Sequence, residues 1–208
     1  MKEKSLPIRA QINSLFPVPV YISHLNREYT QKELKFFKKT KWIKNTGNTR
    51  SANSYILNST PLTTLKKEMN IFLKDYFSKI VAAPSTVSPY ITQSWLNRTK
   101  ECEFHHPHCH PNSFISGVLY IDADPAYDTI SFHKEKEPEI TTPIVKYNLF
   151  NSVSWNFPIK SNQLMIFPSQ LSHSVTVKKE NSSRISLSFN TFLKGNLGDK
   201  EKLTELII

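Results

Sequence analysis

Near Pro89 the spacing of apolar residues changes, and that change limits the architectures open to the chain. Upstream, Leu62, Leu65, Met69, Phe72, Leu73, Tyr76, Phe77 and Ile80 recur at intervals of three and four, the period of one helix face turned to a core. Downstream the pieces are short and several alternate with period two: YITQSWLN, SGVLYIDA, DTISFH, SVSWNF, QLMIFP, HSVTVK and RISLSFNTF, separated by turn residues. Such strands cannot form a helical bundle. They predict a mainly β domain, a sandwich or jelly roll, with the preceding helices buttressing one face.

The rest of the chain fits around this plan. LFPVPVYISHL (15–25) carries the prolines and β-branched residues of an edge strand. A first helix opens at Thr30, where TQKE is a capping box with Glu33 at its third position, and Leu34, Phe37 and Trp42 supply its apolar side. A second opens at Thr60-Pro61. EKEPEITTP (135–143) reads as an exposed loop, and the tail beyond Gly198 as a short amphipathic helix. The expected division is one domain over residues 1–208, with a helical part at 1–88 and a jelly-roll core at 89–195.

The net charge of +10, from 27 Lys and Arg against 17 Asp and Glu, is mostly lysine, so it suits a solvated surface better than base readout, for which arginine's planar fork is preferred. No apolar run approaches the length of a membrane span, and no signal peptide is visible, so the expected setting is the cytoplasm. Cys102 and Cys109, seven residues apart around a histidine cluster, are expected to be free thiols there.

That cluster, FHHPHCHPNS (104–113), holds four histidines and a cysteine in ten residues. On an extended chain His106, His108 and His110 share one face, while His105 and Cys109 take the other. Imidazole suits iron, zinc, copper and nickel. An exposed histidine tract or a structural zinc site with Cys102 and Cys109 competes with a catalytic metal, although paired CxxC or HxxxH spacing is missing. What favours a catalytic site is the order along the chain: HxH, a distant His173 after an apolar strand, then Arg184.

In HCHPNSFISGVLY (108–120), FPSQLSHSV (167–175) and RISLSFN (184–190) the sequence resembles the 2-oxoglutarate and Fe(II)-dependent oxygenases, in particular a subgroup, often viral or bacterial, with motifs HxHPNSxxSGVxY, FPSxxxHxV and RxSxSFN. LFPVPVY and SWLN resemble it too. The resemblance implies a double-stranded β-helix, cupin-like, using Fe(II), 2-oxoglutarate and O₂ to hydroxylate a substrate while forming succinate. It implies His108 and His173 as iron ligands. His110 stands where the family usually has an acid, so the third ligand is either His110 or a carboxylate such as Asp122 or Asp124. Arg184 would take the far carboxylate of 2-oxoglutarate, with Ser186 on the same face and Tyr120, Asn112 and Asn190 as further pocket residues. The primary substrate stays open among a protein side chain, a nucleobase and a metabolite, as does a homodimer. Two other functions compete: a three-histidine cupin-like metalloenzyme without 2-oxoglutarate, and a non-catalytic binding or virion module.

Overall fold

A computed structural model describes residues 9–136 and 140–208; part of the expected 135–143 loop lies outside the described residues. The elements, in chain order, are β1 (Tyr21–His24), α1 (Gln31–Lys39), β2 (Trp42–Lys44), β3 (Thr49–Ser51), α2 (Thr63–Tyr76), β4 (Val87–Thr99), β5 (His105–His108) and β6 (Ile115–Asp122). Then follow β7 (Thr129–His133), β8 (Ser154–Pro158), β9 (Gln163–Pro168), β10 (His173–Val175), β11 (Arg184–Leu197) and β12 (Leu206–Ile207).

Two antiparallel sheets result. The larger runs β1-β9-β6-β11-β4-β3-β2, with β12 added to β11, and the smaller runs β5-β10-β7-β8. The period-two alternation explains how they stack. On β6 and β9, Val118, Tyr120, Met165 and Phe167 point to the smaller sheet and pack with its Ile130 and Phe132. Their neighbours Leu119, Leu164 and Ile166 point the other way, with Leu187 and Phe189 of β11, and meet Leu65, Met69, Leu73 and Tyr76 of α2. The larger sheet is therefore buried on both faces, helices on one and the second sheet on the other, as a jelly roll with buttressing helices requires.

Local signals explain most of the element ends. At Thr30 the expected capping box forms: the Thr30 hydroxyl accepts from the Glu33 N–H at 3.3 Å and the Glu33 carboxylate accepts from the Thr30 N–H at 2.7 Å. Arg27 then joins α1 to α2, donating to Glu33 and Glu68 at 2.7–2.8 Å. LFPVPVYISHL yields β1 at the edge of the larger sheet, as its prolines predict.

Other expectations need correction. Trp42 lies not on α1 but in β2, because the helix stops at Lys39 and residues 42–51 form a hairpin, so the N-terminal part is not purely helical. Ile80, counted in the apolar stripe of α2, is 47% exposed, since the helix ends in a π-helical turn, Phe77–Val81, that breaks the 3.6-residue period. The tail forms no helix: Leu206 and Ile207 pair with Leu197 and Asn196 around a turn that begins at Gly198, whose φ is +73°. Cys102 and Cys109 are free and exposed. Among the described residues no helix is long and apolar enough to cross a membrane.

Gly117 of the SGVLY motif faces Phe189 across β6 and β11. A Cβ there would lie 2.3 Å from the Phe189 ring, which is fully buried. Gly117→Ala is expected to destabilise the protein by about 1–3 kcal/mol, the range for overpacking a filled core, measured by denaturant unfolding with the metal removed; an unchanged midpoint would show that the ring relaxes freely.

Candidate metal centre

The centre is assembled by strand pairing in the smaller sheet. His108 of β5 and His173 of β10 are direct partners in the ladder, and His110, two residues past β5, is held in place by its N–H donating to the Ser169 carbonyl at 2.9 Å. One ligand atom from each of His108, His110 and His173 lies within 4.8 Å of the others. Ring centroids are 4.3 Å apart for His108 and His173, 5.0 Å for His108 and His110, and 5.1 Å for His110 and His173.

Two of the rings are oriented by their own backbone. Nδ1 of His108 donates to the His106 carbonyl at 2.8 Å, and Nδ1 of His173 to the Leu171 carbonyl at 2.9 Å. A carbonyl only accepts, so each Nδ1 carries the proton and each Nε2 keeps its lone pair, the arrangement a metal-binding imidazole needs. Burial lowers the pKa of all three, most clearly His173 to about 3 and His110 to about 4; for His108 the bond to His106 partly opposes it. At neutral pH the three rings are thus neutral donors. The site fits a borderline divalent metal such as Fe(II).

Asp122 and Asp124, the alternative third ligands, are not among the lining of this pocket. They border a second cavity with Asp128 and Lys178, where burial and then Asp128 push the Asp122 carboxyl up. The histidine faces also differ from strict alternation. Between His173 and Val175 the ladder with β5 slips, so His108 and His105, three residues apart, pair with residues only two apart. This bulge turns His105 into the pocket, where it stacks on His108 at 4.2 Å and 20° and burial lowers its pKa to about 3.

The larger sheet supplies the facing wall. Arg184, Ser186 and Ser188 of β11 line the pocket in alternation, and in cross-strand register beside them stand Thr99, Asn97 and Trp95 of β4. Tyr120, opposite Ser186 on β6, completes the row; burial raises its hydroxyl pKa strongly. Arg184 is 3% exposed.

Asn112 and Asn190, expected in the pocket, lie outside its lining. Asn112 is an exposed turn residue with φ +56°, a conformation asparagine tolerates. Asn190 accepts from the Ser116 hydroxyl at 2.9 Å within a buried chain in which Ser116 and Ser169 are 2.8 Å apart and Ser169 donates to Ser113 at 2.7 Å. The serines of HPNSFIS and FPS therefore tie the His110 loop to β9 and β11. No motif assigns Trp95, Asn97 or Thr99 a place in the pocket, although their i, i+2, i+4 spacing on one strand carries the signal that they share the pocket face.

Comparison with known proteins agrees with this geometry. The sequence profile of a family described as "Putative 2OG-Fe(II) oxygenase" matches residues 93–190, a span that includes all three histidines and Arg184. Solved structures with the same fold include a 2OG-Fe(II) oxygenase family oxidoreductase from Burkholderia pseudomallei (12% identity, 77% of this chain and 75% of that chain, TM-score 0.56). HygX from Streptomyces hygroscopicus, solved with nickel and 2-oxoglutarate bound, is 9% identical over 84% of this chain and 82% of its own, with a TM-score of 0.60. SnoN, an alpha ketoglutarate dependent epimerase from nogalamycin biosynthesis, is 10% identical over 86% and 79%, with a TM-score of 0.61. A comparison with curated protein sequences finds no match.

The buried imidazoles make the metal-free protein sensitive to acid. Their pKa values lie below the unfolded value of about 6.5, so below that pH the unfolded chain binds more protons and stability falls, toward about 3–4 where the folded rings protonate. The melting temperature of the metal-free protein should drop between pH 6.5 and 4, and less so in His173→Gln; equal slopes in both proteins would contradict the assignment.

Proposed function

We propose that His108, His110 and His173 hold Fe(II), that Arg184 receives the distal carboxylate of 2-oxoglutarate, and that the enzyme couples oxidative decarboxylation of 2-oxoglutarate to hydroxylation of a second substrate. Bound iron supplies the oxidising chemistry; the chain's own groups bind, orient and exclude water. The observation that carries the reading is the presence, in one pocket, of three converging imidazoles and a buried arginine on the opposite sheet. A three-histidine cupin without 2-oxoglutarate needs no guanidinium lining the metal pocket.

Each side chain has a definite role in this reading. The Nδ1 protons of His108 and His173 stay on backbone carbonyls, which keeps the metal-facing nitrogens basic and fixed in direction. His110 completes a neutral triad in place of the more usual two histidines and one carboxylate, leaving the remaining coordination positions to ligands. Arg184 offers a planar fork to a carboxylate, and Ser186 and Tyr120 flank it with hydroxyls. Val118, Ile130 and Phe167 provide the apolar lining that excludes water and strengthens this ion pair.

The test is anaerobic titration of the Fe(II) protein with 2-oxoglutarate, followed by the visible charge-transfer band of the chelate. His108→Ala and His173→Ala should lose iron. Arg184→Ala should keep iron and weaken 2-oxoglutarate binding about 30-fold or more, as expected when a buried charge loses its partner, with Arg184→Lys recovering only part. Full iron occupancy in either histidine variant, or unaltered co-substrate affinity in Arg184→Ala, would overturn the corresponding role.

A further inference from the structure

Behind Arg184 the structure holds a second set of buried charges. Nη1 of Arg184 donates to Asp128 Oδ1 at 2.8 Å, and the Lys178 ammonium stands 3.3 and 3.4 Å from the two oxygens of the same carboxylate. Asp128 is 1%, Lys178 2% and Arg184 3% exposed. The Asp124 N–H donates to Asp128 Oδ2 at 2.9 Å, so three donors make four hydrogen bonds to this carboxylate. Of the three residues only Arg184 lines the metal pocket; Asp128 and Lys178 border the second cavity.

Two cations thus share one buried carboxylate. Glu180 approaches Lys178 only to 4.0 Å and is a quarter exposed, and Asp122 and Asp124, which border the same cavity, are exposed and form no ion pair with Lys178, so water weakens the compensation from all three. A buried cation without a full counter-charge is costly, and the deficit is removed when an anion enters. We propose that Asp128 and Lys178 are positioning residues for the co-substrate, a proposal that rests on Arg184 as its anchor. Asp128 fixes one terminal nitrogen of the guanidinium and so aims its remaining N–H groups into the metal pocket. Lys178 occupies the same carboxylate, so Asp128 does not neutralise Arg184 fully and the arginine keeps its attraction for a dicarboxylate. The pair selects a 2-oxo acid with a distal carboxylate over one without.

The experiment compares the anaerobic Fe(II) affinity and the affinities for 2-oxoglutarate and 2-oxobutyrate in the full chain and in Asp128→Asn, Lys178→Met and Arg184→Ala. 2-Oxobutyrate has the same 2-oxo acid end and no distal carboxylate. Asp128→Asn and Lys178→Met should each weaken 2-oxoglutarate about tenfold, the effect of one hydrogen bond to a charged group, with iron and 2-oxobutyrate affinities changed less than about twofold. Lys178→Met keeps the apolar stem and leaves the Asp124 turn intact, so it decides the matter should Asp128→Asn fail to fold. Equal weakening of both acids would make the two residues merely structural and overturn the proposal. An Arg184→Ala loss without any loss in the other two variants would sink this inference and leave the anchor standing. No loss in Arg184→Ala would instead remove the anchor.

Discussion

The ladder between β5 and β10 is the constraint on which the centre depends. It places His108 directly across from His173, sixty-five positions away in the chain, and no local segment could do so. β5 and β10 are short, four and three residues, so few hydrogen bonds define the pairing. Additional ties fix the third ring: His110 is held to Ser169, and Ser169 through its hydroxyl to Ser113 and Ser116. Buried hydroxyls that all find partners are rigid, and a half-satisfied set would be worse than none. The loop carrying His110 thus inherits its precision from β9 and β11, which belong to the larger sheet.

Electrostatics divides the interior into two compartments. The metal pocket presents neutral imidazoles and one guanidinium edge, with Asp128 behind it; Asp122, Asp124, Asp128 and Lys178 gather on the far side around the second cavity. Keeping carboxylates out of the pocket suits a cluster of neutral imidazoles, since a dianion entering there would meet no repulsion. It also explains why the acids near the motif, although metal-ligating in type, do not join the histidines.

Much of the fold was legible because it followed from alternation. The inward and outward faces of SGVLY, QLMIF and RISLSF were readable residue by residue, and the Thr30 capping box announced α1. The convergence of His108, His110 and His173 was reachable from spacing plus resemblance. What failed did so for definite reasons. The bulge between β5 and β10 exchanged His105 and His106 in a way that strict period two cannot foresee. Asn112 and Asn190 stand in motifs that point to ligand contact, yet one sits in a left-handed turn and the other in a hydroxyl chain. Asp128 and Lys178 lie fifty residues apart with no local pattern, so only the folded chain reveals that they meet.

The placement of the histidines on one sheet and of Arg184 on the other has a mechanical consequence. A molecule that reaches from the imidazoles to the guanidinium bridges both layers of the sandwich, tethering the smaller sheet to the larger across a gap already spanned by side-chain packing and the Arg184–Asp128 ion pair. Because such a ligand engages only the assembled layers, its binding and their cohesion are one equilibrium. The co-substrate would serve this protein as a rivet as well as a reactant.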